Sequence, residues 1–134
     1  MRRLAVFFRG FENIVREEFG LKRVGEGWVS ETLLWYIVKR IYFGKEVVFH
    51  HRPLWLEGLE LDIFVPQENI AFEYQGQQHY YAVDVWGGEK ALEKLRLRDK
   101  KKVNLCKRNK VRLIRIKYSE PLSEDHIASR ISEK

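Results

Sequence analysis

The chain has 134 residues and a mass of 16.1 kDa, room for one domain with a real core. With 45% hydrophobic and 13% aromatic residues it is not a disordered chain, and its longest apolar run, about six residues over 33–38, rules out a membrane-spanning helix. The single cysteine, Cys106, has no intramolecular disulfide partner. The short apolar stretch over 4–8 is cut by Arg9, too soon for an export signal, so the expectation is a soluble cytoplasmic protein with no membrane partner.

The net charge of +6 is unevenly placed. Residues 94–117 hold 12 Lys and Arg against one acid, Asp99, while the remainder holds 13 basic and 18 acidic residues. A cationic segment on a mildly anionic chain suggests a polyanion partner, most simply nucleic acid. The alternative is the solvated face of a charged helix.

In chain order, residues 1–29 read as an N-terminal extension with a short helix around 12–19, and 30–134 as the domain. Ser30 is a suitable N-cap for a helix over 31–43, in which Leu33, Leu34, Ile37, Val38 and Ile41 recur at helical spacing. Trp35 and Tyr36 widen that apolar surface, which predicts a well-buried helix ended by Gly44. Strands are predicted over 46–52, 59–65 and 70–75, the last two joined by a turn over 66–69. A long helix over 89–108, a strand over 111–118 and a short helix over 122–131 opened by Pro121 follow. The fold class is α/β, a mixed sheet flanked by helices.

The predicted hairpin carries the sharpest inference. If Pro66 and Asn69 flank a two-residue tip, paired positions sum to 135 and Asp62 lies directly opposite Glu73. Opposite residues share a face with Cβ atoms about 4.5–5.5 Å apart, and like charges there repel. A cation between them relieves the repulsion, and hard carboxylate oxygens suit Mg²⁺ or Mn²⁺. Gln75 lies two residues on, on the same face, and Glu60 would face it. The competing reading is a solvated polar face, or a register slip that parts the pair.

Glu31 leans toward the apolar side of the first helix, though an acid there also complements the helix dipole. On the long helix Leu92, Leu95, Val103 and Cys106 form a stripe, with Asp99 near its centre and in need of a partner. Lys102 sits at the stripe's edge, while Arg98, Lys100, Lys101, Lys107 and Arg108 lie farther out as candidate phosphate contacts. His79, after the third strand, could handle a proton or close the strand. Trp55 and Trp86 could stack bases or pack, and His50 and His51, adjacent on a strand, face opposite ways.

The order of these elements and motifs resembles the PD-(D/E)XK nuclease superfamily, with its αβββαβ restriction-endonuclease-like core. The segments LELDIFVP, IAFEYQGQQHY and RDKKKVNLCKRNKVRLIRI are similar to its Vsr-like and homing-endonuclease-like branch, over about 90 residues. The resemblance implies a metal-dependent DNA endonuclease in which Asp62 and Glu73 bind Mg²⁺ or Mn²⁺ and Glu31 is an accessory acid. Gln75 stands where many members carry Lys, and a neutral amide brings no positive charge. Lys102 is the candidate substitute, with Gln75 orienting the nucleophile and His79 assisting proton movement. Alternatives on the same fold are a degenerate nucleic-acid-binding module and a Holliday-junction resolvase. A homodimer is an accompanying expectation, since a single compact core often pairs to cut both strands.

Overall fold

The computed structural model describes residues 26–76 and 88–133. They form helix α1 (Glu26–Ile41), strands β1 (Val48–His51), β2 (Leu61–Val65) and β3 (Ile70–Gln75), helix α2 (Gly88–Arg108), strand β4 (Arg112–Lys117) and helix α3 (Glu124–Ser132). The class is α/β, as expected, and the order αβββαβ from α1 to β4 is the one read from the sequence. The expected helix over 12–19 and the positions of His79 and Trp86 lie outside the described residues. No helix among the described residues is long and apolar enough to cross a membrane.

The chain divides into two compact units. Among the described residues, one holds 26–47 and 121–133, and the other holds 48–76 and 88–120.

In the first unit α1 begins at Glu26, a turn earlier than the sequence suggested. Ser30 is therefore not a cap but a buried residue inside the helix. The cause is Val29, which extends the stripe by one step of four ahead of Leu33 and Ile37, all three at most 2% exposed. Within that added turn the Thr32 hydroxyl donates to the Trp28 carbonyl at 3.0 Å. Tyr36, expected in the apolar surface, is exposed. Trp35 is half-buried, its indole N–H donating to the Val47 carbonyl at 3.4 Å with the Lys39 ammonium 4.4 Å from its ring. At the other end of the unit Ser123, not Pro121, opens α3: its hydroxyl accepts the His126 N–H at 3.2 Å. The α1 and α3 helices pack together, with Ile127 fully buried.

The second unit is built on a four-stranded mixed sheet in the order β1-β2-β3-β4. The β1–β2 and β2–β3 pairs are antiparallel, and β3–β4 is parallel with α2 as the crossover. β1 and β2 each start two residues later than expected. Before β2 the chain is drawn into a 3-10 turn over Leu54–Leu56, closed by the Leu59 N–H on the Leu56 carbonyl at 3.1 Å. The β2–β3 connection is a 3-10 turn over Pro66–Glu68 that ends on Asn69 at φ +49°, a conformation Asn tolerates better than most residues.

One face of the sheet packs Phe64, Ala71 and Leu113 into a cluster with Leu56, Leu61, Leu105, Cys106 and Val111. Trp55 is part of this cluster. The alternate residues Ile63, Val65, Phe72, Ile114 and Ile116 point the other way and are buried too. The two central strands are thus apolar on both faces, with a polar interruption at one end.

Candidate functional site

That interruption is Asp62, Glu73 and Gln75, all buried on a sheet whose other inner positions are apolar. The β2–β3 register pairs Ile63 with Phe72, Phe64 with Ala71 and Val65 with Ile70. These are the pairings expected from the hairpin, and one step further Asp62 stands opposite Glu73. Beyond Ile63 and Phe72 the side chains enter the hydrogen bonding of the two strands. Tyr74 donates its N–H to Asp62 Oδ2 at 2.9 Å, and Asp62 donates its own to Glu73 Oε1 at 3.4 Å. Both carboxyls are thereby fixed by backbone groups of the opposing strand.

Helix α2 completes the arrangement. Lys102 turns inward from it and places Nζ 2.9 Å from Glu73 Oε1, with both side chains largely buried. Gln75 lies on the same face of β3 as Glu73. The residues that flank Lys102 on α2, Arg98, Lys100, Lys101, Lys107 and Arg108, are all exposed. Asp99 lies in helical phase between the buried Leu92 and Cys106 and is half-buried.

Electrostatics follow from this burial. Burial pushes the Glu73 carboxyl well above its ordinary value, and the neighbouring Asp62 charge adds to it. Asp62 is also raised by burial, offset by the Tyr74 N–H and by the nearby Lys102. The Lys102 ammonium is the positive charge in direct contact with the pair.

His50 is the residue sequence reasoning missed. The β1–β2 register puts it opposite Asp62, making a row of His50, Asp62 and Glu73 across three strands. Its φ is +56°, in the left-handed region, which no period-two pattern reveals. His50 Nδ1 meets Glu60 Oε1, and Arg52 donates to the other Glu60 oxygen at 3.0 Å. Glu60 is thus engaged at the β1 side of the sheet instead of facing Gln75. Glu31 is half-buried on α1, in the other compact unit.

Among the described residues no group of three or more His, Cys, Asp or Glu side chains forms a metal cage. The carboxyl pair could hold a hard cation only together with water or substrate oxygens, the common arrangement for Mg²⁺.

No family model matches the chain, and no solved structure matches it. Parts of it are similar to two viral proteins. It is 35% identical over 77 residues to uncharacterized protein 033L of Invertebrate iridescent virus 3, which covers 57% of this chain and 40% of that protein. It is 40% identical over 64 residues to uncharacterized protein 094L of Frog virus 3 (isolate Goorha), covering 46% of this chain and 41% of that protein. The chain spans about two fifths of the length of these relatives.

Proposed function

We propose that the chain is a divalent-metal-dependent DNA endonuclease that hydrolyses backbone phosphodiesters. The observation that carries this reading is the Asp62–Glu73 pair, two buried carboxyls that face each other across neighbouring strands. A purely structural sheet gains nothing from such a pair, because burying two like charges costs several kcal/mol unless something neutralises them. The motif order of the PD-(D/E)XK resemblance supports the same conclusion.

In this reading Asp62 and Glu73 hold Mg²⁺ or Mn²⁺, and the pair's oxygen donors fit such a hard ion. Such an ion, when bound, would supply a lowered pKa for a water and would offset charge on the phosphate. Tyr74 N–H holds Asp62 in place, and Gln75 orients the attacking water through its amide. Lys102 supplies, from α2, the positive charge that Gln75 lacks on the strand, and stabilises the developing phosphate charge. The exposed Arg98, Lys100, Lys101, Lys107 and Arg108 of α2 hold the DNA backbone, which positions the duplex without reading its sequence.

Cleavage of supercoiled plasmid in Mg²⁺ or Mn²⁺, against an EDTA control, tests the proposal. The parent is expected to nick DNA, with activity lost in Asp62→Asn and Glu73→Gln while binding persists. Equal cutting by all three proteins rules out this site. A second reading is favoured by the Lys102–Glu73 contact, because an ammonium on that carboxylate can replace a metal altogether. A binding-only protein would retain DNA and cut nothing under any divalent ion.

A further inference from the structure

We infer that a groove between α2 and the 3-10 turn over Leu54–Leu56 is a nucleic-acid backbone clamp, and that Glu57 acts as its electrostatic brake. The groove has a volume of about 410 Å³ and is lined by Glu57, Leu97, Lys100, Lys101, Asn104, Leu105 and Arg108. Leu105 forms a buried floor, and Leu97 is a large exposed apolar residue on the wall. Three cations converge on it against a single acid.

The spacing suits a polyanion. Leu97, Lys101, Asn104 and Arg108 recur at steps of three and four and share one side of α2. From Lys100 to Arg108 the helix rises about 12 Å, the length over which one DNA strand presents about three to four charges. The Asn104 amide adds a neutral donor between the cations, and Leu97 offers an apolar surface for sugar. The rest of the solvent side of α2 is charged, including Lys90, Glu93, Lys94, Arg96 and Arg98, so it lacks the broad apolar face that an anionic membrane would require.

Glu57 gives the groove its second property. It closes the turn with φ +54°, which fixes the chain direction at the groove edge. Its carboxylate lies 3.6 Å from Lys101 Nζ, and both side chains are about half exposed. An exposed pair of this kind is weak, so an incoming phosphate displaces Glu57 readily. Glu57 then remains as a nearby like charge that weakens binding and keeps non-specific retention in check.

This inference rests on the nucleic-acid part of the proposed function and is independent of the carboxyl pair. Binding of a fluorescent DNA duplex is measured in EDTA, across a salt series, for the full chain. Lys101→Glu and Arg108→Glu are each expected to weaken binding about tenfold and to flatten the salt slope by about one contact. Lys90→Glu, an equal charge change about three turns from Lys101 and about five from Arg108, is expected to stay within about threefold. Glu57→Gln is expected to tighten binding about two- to fivefold, the size of a lost surface-charge interaction. If the parent binds DNA while the groove variants behave like Lys90→Glu, the clamp is refuted and the nuclease proposal stands. If Glu57→Gln leaves affinity unchanged, the brake is refuted. If the parent shows no salt-dependent DNA binding, both the clamp and the nucleic-acid reading fail. Loss of binding to phosphatidylserine vesicles by the same variants, with DNA binding intact, would assign the groove to a membrane surface instead.

Discussion

Replacing Lys102 by Met keeps the alkyl stem and removes only the ammonium, so it isolates the charge that faces Glu73. Removing one partner of a fully buried ion pair costs about 3–5 kcal/mol. Here Lys102 and Glu73 retain 15% and 11% side-chain exposure, and Glu73 can take up a proton instead of staying charged. The expected loss at pH 8 is therefore lower, about 2–3 kcal/mol. For a chain of this size that is a fall in Tm of about 6–15 °C. The loss must also depend on pH. Lys102 lowers the pKa of both carboxyls, so its removal raises them further. Carboxyls raised in the folded state hold protons that the unfolded chain releases above about pH 4, so stability falls as pH rises through that window. Thermal unfolding of parent and Lys102→Met between pH 4 and pH 8 is the assay. The gap should be smallest near pH 4 and widen as pH rises, because the variant's carboxyls keep their protons to higher pH than the parent's. A gap that is constant across this range would show that Lys102 contributes through packing and not through its charge.

Further expectations follow from the same geometry. Because Glu73 must lose a proton to hold a cation, Mn²⁺ affinity measured by calorimetry should rise with pH up to the raised Glu73 value and be accompanied by proton release; affinity independent of pH would argue against ligation by Glu73. Burial pushes the Cys106 thiol up to about 11, with the Glu73 charge adding to it. Cys106 should therefore resist alkylation at pH 8 until the chain is unfolded in guanidinium; rapid labelling of the native protein would show that the α2–sheet packing is wrong. Phe72→Ala empties a fully buried position and should cost about 3–5 kcal/mol in chemical unfolding; a loss under 1 kcal/mol would mean that this face of the sheet is not packed.

The sequence was readable where local rules set the outcome. The β2–β3 register followed from the turn at Pro66–Glu68, because hairpin geometry and side-chain alternation leave one pairing that buries Ile63 against Phe72. That register places Asp62 opposite Glu73, so the core of the site could be read before any coordinates. Lys102 was foreseen only as a candidate, since its inward turn depends on how α2 is rotated over the sheet. Helix α1 starts a turn before Ser30, a good capping residue, because burial of Val29 extends the apolar stripe past it. Likewise Pro121 suggested a helix start that the Ser123 hydroxyl provides two residues later. His50 was hidden for a different reason. Its place beside Asp62 comes from pairing of β1 with β2 and from a left-handed backbone conformation, and neither leaves a trace in hydrophobic periodicity.

The proposed role of the two central strands comes down to whether Asp62 and Glu73 bind one divalent ion between them. Anomalous scattering from crystals soaked in Mn²⁺ answers this at the atoms concerned. A single peak bridging the two carboxyls, absent from crystals of Glu73→Gln, is the expected result. Carboxyls still capped by Lys102, with no manganese beside them at saturating concentration, would overturn the metal-dependent mechanism.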